Sequence, residues 1–211
     1  MARVYDSLLS GLSGKIGRLV VVNRYGKEYI RFHPAHLRKA PSQKQQLSQQ
    51  RMKHAITFME SYKSYACRFF GKRVGGKTRY NQAMTNLLNS LVLDYDNQTI
   101  TPNYAVIAFS KGNLLPVVGH HISQPDEKSV LISWQDNSNN PNRATDLLQI
   151  LLAYNDDYTT YFFQDAAPRS AQSYTLTLPA NLQNKTLHLY LAFKSLDNTQ
   201  ASNSVYAGSI S

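Results

Sequence analysis

From Ile16 the chain reads IGRLVVVNRYGKEYIRFHP, two short β-branched and aromatic runs separated by Asn23-Arg24-Tyr25-Gly26. Runs of this kind around a turn that ends in glycine predict a β-hairpin, with Gly26 free to take positive φ. Along the second run Lys27, Tyr29 and Arg31 alternate with Glu28, Ile30 and Phe32, so one face is expected to be basic and aromatic. Leu19, Val21 and Ile30 would face whatever packs beneath. His33-Pro34 ends the strand, and AHLRKAP reads as an extended connector, because the residue before each proline is pushed out of the α region.

Ser42 follows Pro41 with Gln45 three residues later, the start of a capping box. From there Leu47, Met52, Ala55, Ile56, Met59, Tyr62, Ala66 and Phe69 recur at helical spacing, which predicts one long amphipathic helix over roughly 43–68. GKRVGGKTR breaks the pattern, and RYNQAMTNLLNSLVL resumes it through Ala83, Leu87, Leu88 and Leu91.

After Asp94 the pattern changes to short β-rich runs: YAVIAFS, VVGHHIS, VLISW, LLQILLAY, YTTYFF, SYTLTL, LHLYLAF and SVYAGSI. Turn-rich SKGN, QPDEK, DNSNNPN, NDD and LDNTQ punctuate them, a spacing that predicts an antiparallel sandwich with Trp134 buried between its sheets. Cys67 is the sole cysteine, so no disulfide can form within the chain, and a fibronectin-like variant fits better than a true immunoglobulin domain. The expected fold is an α+β N-terminal part over 1–95, a β-hairpin plus two helices. An all-β immunoglobulin/fibronectin-III-like sandwich follows over 100–211.

Charge sharpens this division. Residues 1–90 hold 17 Lys/Arg against Asp6, Glu28 and Glu60, a balance of +14, while residues 91–211 hold 6 against 10, a balance of −4. A basic half of this density is a footprint for polyanions: nucleic acid, an anionic membrane or an acidic protein surface. MARVYDSLLSGLSGKIG has no continuous apolar run after its positive charge, and no stretch approaches the ~18 apolar residues of a membrane span. A soluble chain made in the cytoplasm without a signal peptide is the expectation.

Residues 71–78, GKRVGGKT, match the phosphate-loop pattern G-x-x-x-x-G-K-[ST]. That loop works as a strand-to-helix turn in a parallel α/β sheet. Here SYKSYACRFF precedes it with a helical pattern carrying Lys63 and Arg68, and LVLD at 91–94 follows Lys77 too closely for a helix and a crossover. A Gly-rich basic connector between two helices is expected, with anion binding by Lys72, Arg73, Lys77 and Arg79 as the subsidiary reading.

Other chemistry is thin. His120 and His121 are adjacent, so on a strand they point to opposite faces, and His33, His36 and His54 belong with a polar surface. Asp136, Asp156 and Asp157 stand among Asn and Ser, where turn chemistry explains them and weak calcium binding is the alternative. No G-x-S-x-G elbow is present. The expectation is no enzyme, no cofactor and no metal. What remains is the basic stretch, in which Arg18, Arg24, Lys27 and Arg31 flank Tyr25, Tyr29 and Phe32, and Arg38 and Lys39 continue the run. Phosphate neutralisation with aromatic stacking holds nucleic acid without reading bases. A basic arm that docks on an acidic neighbour uses the same residues, and the two readings stay open.

Taken in order, SGKIGRLVVVNRYGKEYIRFHP, PSQKQQLSQQRMKHAITFME, YAVIAFSKGNL, ISWQDNS, ATDLLQILLAY, TLTLPANL, LYLAF and NSVYAG resemble an uncharacterised family of Bacteroidota proteins of about this length, over nearly the whole chain. The family brings no established activity; the resemblance implies the two-part layout and nothing catalytic. The first portion, S-G-x-I-G, an N-R-Y-G turn, a Pro-rich connector and a Gln/Arg helix start, is also similar over a shorter stretch to small proteins encoded among phage structural genes. That similarity implies a structural or assembly protein, with other subunits of a phage or prophage virion as partners in an oligomer. Binding of DNA or RNA is the alternative.

Overall fold

The structure, a computed structural model, describes residues 2–4, 11–24, 26–34, 40–139, 141–154 and 157–211, with backbone alone for Ala2 and Val4. It divides into two compact units, Met1–Pro41 and Ser42–Ser211.

The first unit is an antiparallel sheet of β1 (Ala2–Val4), β2 (Gly14–Ile16), β3 (Leu19–Arg24) and β4 (Lys27–Phe32), ordered β1-β4-β3-β2. The expected hairpin is β3 with β4: Arg24 faces Lys27, and Gly26 takes φ +71° just before β4. Positive φ there matches the right-handed strand twist at no steric cost to glycine. The run from Ile16 is not one strand, because Ile16 pairs with Leu19 across a second tight turn with Gly17 at φ +56°. Leu19, Val21 and Ile30 share a face as expected, with Val21 buried and the others half-buried. Tyr25 and residues 35–39 of the connector, including Arg38 and Lys39, lie outside the described residues.

The second unit opens on α1 (Gln43–Met59). Its capping box is formed: the Gln45 N–H donates to Ser42 Oγ and the Ser42 N–H to Gln45 Oε1. A single 3-10 turn at Glu60–Tyr62 separates α1 from α2 (Lys63–Phe69), so the expected long helix is nearly continuous. Its buried stripe is Leu47, Ala55, Phe58, Met59, Tyr62, Tyr65, Ala66 and Phe69. Met52 and Ile56 fall on the exposed flank instead, since at 3.6 residues per turn they lie off the line set by Ala55, Phe58, Met59 and Tyr62. Thr78 caps α3 (Arg79–Ser90) by accepting the Asn81 N–H at 3.2 Å. LVLD then becomes β5 (Leu91–Asp94), one arm of a hairpin with β6 (Thr99–Pro102).

Two antiparallel sheets follow. One is β7 (His121–Asp126), β8 (Ser129–Ser133) and β11 (Ser173–Thr177), ordered β11-β8-β7. The other is β9 (Leu147–Tyr154), β10 (Thr160–Phe163), β12 (Leu187–Lys194) and β13 (Val205–Ile210), ordered β10-β9-β12-β13; a short helix α4 (Pro141–Ala144) precedes β9. YAVIAFS is not a strand. Tyr104–Val106 is a 3-10 turn, and beyond it the Ala108 and Phe109 N–H groups donate to Asn86 Oδ1 and Ser204 Oγ. Side chains satisfy this backbone where a neighbouring strand would otherwise be needed.

Strands β9 and β12 are buried on both faces. On one, Leu148, Ile150, Leu152, Leu187, Leu189, Leu191 and Phe193 share a core with Val130, Ile132, Trp134 and Leu176 from the other sheet's side. On the other, Leu151, Ala153, Tyr190 and Ala192 pack with Phe58, Tyr62, Tyr65, Met84 and Leu87 of the helices. This second core moves the boundary: the helices expected beside the hairpin in 1–95 belong to the same unit as the sheets, and the chain divides at residues 41 and 42, not near 95–100.

A fragment spanning 42–211 is therefore expected to melt in one cooperative transition. A fragment of 96–211 would expose Leu151, Ala153, Tyr190 and Ala192 and is expected to aggregate; size-exclusion chromatography and thermal melts compare the two, and a soluble, cooperative 96–211 fragment would sink the shared-core account. In the full chain Leu151→Ala should cost about 2–5 kcal/mol.

Stability should also fall in mild acid. His188 stacks on Tyr104 with ring centroids 3.6 Å apart, its Nδ1 lies 2.9 Å from the Tyr206 hydroxyl, and burial holds its pKa below the ordinary 6.5. The unfolded chain then binds the proton more readily, so stability is lost as pH drops below 6.5. Urea midpoints measured from about pH 7.5 to about pH 5.5 should fall, with a shallower slope in His188→Asn.

Candidate polyanion-binding surfaces

Directly opposed residues of an antiparallel sheet point to the same face, so the register of the first unit assigns its surfaces. Lys27 faces Arg24, Tyr29 faces Val22 and Arg3, and Arg31 faces Val20, which in turn faces Lys15. Arg3, Lys15, Arg24, Lys27 and Arg31 therefore surround Tyr29 on one face. Among the described residues that face carries no carboxylate. Glu28 lies on the opposite face and accepts the Gly11 N–H at 2.7 Å. Phe32 is on the opposite face too, as its alternation with Lys27, Tyr29 and Arg31 predicts, and Arg18 sits in the turn between β2 and β3. Arg3 and Lys15 were not legible from sequence, because strands of three residues are too short to show alternation.

The GKRVGGKT segment follows helix α2, not a strand. Its Val74 N–H donates to the Lys77 carbonyl at 3.3 Å and the Lys77 N–H to the Val74 carbonyl at 3.0 Å, closing a tight turn with Gly75 at φ +56°. The Gly71 N–H donates to the Lys111 carbonyl at 2.7 Å. Three of the segment's backbone donors, those of Gly71, Val74 and Lys77, are thus engaged within the protein. Asp94, at the end of β5, caps the β5–β6 turn: it accepts the Asn97 side-chain amide and the Asn97 and Asp96 N–H groups, bonds that hold its carboxyl below the usual range.

The same segment nevertheless joins a basic surface. Arg79, at the first position of α3, donates to the Arg68 carbonyl, and Gln82 Nε2 donates to the Lys72 carbonyl at 2.6 Å, tying α3 to the end of α2 and the loop after it. Two cavities open there, of about 450 and 610 Å³. Lys77 lines the smaller, Arg68, Lys72 and Arg79 the larger, and Lys111 and Asn203 line both. Arg73 lines neither; its Nε donates to the Gly75 carbonyl at 3.4 Å. The structure thus gathers Lys72, Lys77 and Arg79 around Lys111, which sequence reading missed because it lies in the turn-like SKGN far along the chain.

Of the other candidates, His121 begins β7 and His120 precedes it, and among the described residues no group of three or more His, Cys, Asp or Glu is placed to hold a metal ion. Asp136 accepts the Ser138 N–H, which holds its carboxyl low, and Asp157 accepts the Thr159 N–H, the turn chemistry expected of both. Asp156 lies outside the described residues. No helix among the described residues is long and apolar enough to cross a membrane.

Sequence reading also gave no sign of a buried ion pair. Arg169, about 1% exposed, donates through Nη2 to Asp146 Oδ2 and to the Leu115 carbonyl, both at 3.1 Å, and through Nη1 to Asn137. Its guanidinium lies 3.9 Å over the Phe193 ring, and its carbonyl accepts from Trp134 Nε1 at 2.7 Å. Removing one partner strands a charge in the core, so Asp146→Ala or Arg169→Met should each cost about 3–5 kcal/mol in denaturant melts. The double variant should cost less than the sum of the two.

No curated protein matches the chain. A family model does, over residues 11–208, most of the first unit and nearly all of the second. The chain belongs to the family described as a family of unknown function, DUF6266.

Proposed function

We propose that this is a non-enzymatic assembly protein that docks, through the basic face of its N-terminal sheet, onto an acidic surface of another protein subunit. The observation that carries this reading is the segregation of Arg3, Lys15, Arg24, Lys27 and Arg31 onto one sheet face, with Glu28 on the other. Residues 1–41 hold eight Lys/Arg against two acids, so the small unit is strongly cationic. A sheet sets such cations about 5 Å apart across strands and about 7 Å apart along them, a fixed array that steers association and fixes register on a complementary surface. The N-terminal motif similar to phage structural-region proteins makes a phage or prophage particle the assembly in view.

The larger unit we read as a fibronectin-like sandwich. Supporting this is the strand order, in which the first, second and fifth strands of the run from β7 form one sheet and the third, fourth, sixth and seventh the other. The burial of Trp134 edge-to-face on Phe193, centroids 6.2 Å apart, also supports it. A second function, sequence-independent nucleic-acid binding, is favoured by Tyr29, which stands among the cations where a base would stack.

Native mass spectrometry of the protein from its host, with and without nuclease, separates the readings. Docking on protein predicts a partner that resists nuclease, dissociates as salt rises and is lost in Lys27→Glu/Arg31→Glu. Nucleic acid predicts a nuclease-sensitive mass and a salt slope that falls by roughly one for each phosphate-contacting cation removed. A bare monomer under both conditions would reject both, and magnesium-dependent ATP or GTP turnover that disappears in Lys77→Ala would overturn the non-enzymatic reading.

A further inference from the structure

The cations around Lys111 form a concave, prearranged cluster in the second unit. Lys111 is clamped by its backbone: its N–H donates to the Phe69 carbonyl at 2.9 Å, and its carbonyl accepts the Gly71 N–H at 2.7 Å. The chain following it is equally fixed. A Cβ on Gly112 would stand 2.0 Å from the Ala201 carbonyl oxygen, so the backbone there passes against residue 201 with no room for a side chain. The Gly112 N–H donates to Asn203 Oδ1 at 3.1 Å, which leaves the Asn203 amide N–H groups available beside Lys111. Arg79 is held by its bond to the Arg68 carbonyl, and the Lys72 backbone by Gln82.

Neither cavity is lined by an acidic residue, and none of Arg68, Lys72, Lys77, Arg79 and Lys111 forms an ion pair with a carboxylate among the described residues. Like charges held together this way repel one another, a cost that an anion relieves. The volumes, about 450 and 610 Å³, fall in the range of small-molecule sites. The remaining polar lining of the two cavities, Thr85, Asn89, Asn113 and Gln200 among it, consists of amides and hydroxyls, which suit the hydroxyl groups of a ligand.

We propose that this cleft is a binding site for a small polyhydroxylated ligand carrying two or more tetrahedral oxyanions, phosphate or sulfate esters, with Lys111 between the two cavities, Arg68, Lys72 and Arg79 on one side and Lys77 on the other. The amides take the ligand's hydroxyl groups. The site lies wholly within Ser42–Ser211 and is independent of the docking reading of the first unit.

The test is calorimetric titration of the full chain at about 0.15 M ionic strength with inositol hexakisphosphate, sucrose octasulfate, inorganic phosphate and uncharged sucrose. The polyanionic sugars should bind with one site per chain, inorganic phosphate far more weakly and sucrose not at all. A preference of one sugar for the other distinguishes phosphate from sulfate esters as the source. Lys111→Gln and Arg79→Gln should each weaken binding about tenfold or more. Lys128→Gln and Lys185→Gln, which remove the same charge from surface positions of the second unit, should leave it within about twofold. Lys27→Gln/Arg31→Gln, in the first unit, should also leave it unchanged; these would instead abolish partner docking, so the two readings fail separately. Equal weakening by all variants would mean general charge attraction and would overturn the site. So would the absence of binding by both polyanionic sugars, or oligonucleotide binding at the cleft that is tighter than either.

Discussion

Strands β9 and β12 pair over eight residues, Leu187 opposite Tyr154 through to Lys194 opposite Leu147, and almost every side chain in that ladder is buried. A ladder covered on both faces tolerates no slip. Shifting it by one residue would make Ile150 and Leu191 trade cores with Leu151 and Tyr190, and the leucine-rich face would meet the aromatic cluster of the helices. Two polar side chains inside this ladder share one partner: Lys194 pairs with Asp165 at 2.6 Å, and Gln149 Nε2 donates to the same carboxylate at 2.8 Å. Where the strands end, a charged side chain thus enters the interior only together with its partner.

The basic cleft depends on the same ladder at one remove. Helices α2 and α3 lie on its outer face through Tyr65, Phe69, Met84 and Leu87, and the loop between them is drawn against residues 111 and 112 by the Phe70–Lys111 bridge. The Ser204 N–H donates to the Ser110 carbonyl at 3.1 Å, which ties this segment to the start of β13. The cations are therefore fixed relative to one another by apolar packing and backbone hydrogen bonds, to which the Arg79 guanidinium adds its own bond to the Arg68 carbonyl.

Much of this was legible in the sequence. The Ser42–Gln45 cap, the hairpin at Gly26, the helix break at Gly71 and seven of the eight β-rich runs correspond to observed elements, because each is set by neighbours a few residues away. The continuous apolar runs LLQILLAY and LHLYLAF carried a further message: without alternation, a strand is covered on both sides, and the second cover had to come from the helices. The expected boundary near residue 95 followed the change from helical to β-rich pattern and the charge split, while the compact units follow the shared core, which neither of these sees. Lys111, Arg3, Lys15 and the Arg169–Asp146 pair escaped notice because their partners are distant in the chain, and no local pattern announces a long-range neighbour.

The order in which the halves of the second core are made has a consequence for synthesis. Its helical side is complete once Ser90 has been added, yet its cover, begun by β9, is finished only by β12, which starts at Leu187. At about 5–20 residues per second the apolar face of Phe58, Tyr62, Tyr65 and Leu87 waits roughly five to twenty seconds on the ribosome for its cover. During that interval the nascent chain displays an aromatic, amphipathic helix pair of the kind that chaperones hold, and its Lys- and Arg-rich exposed flank keeps neighbouring nascent chains apart by repulsion.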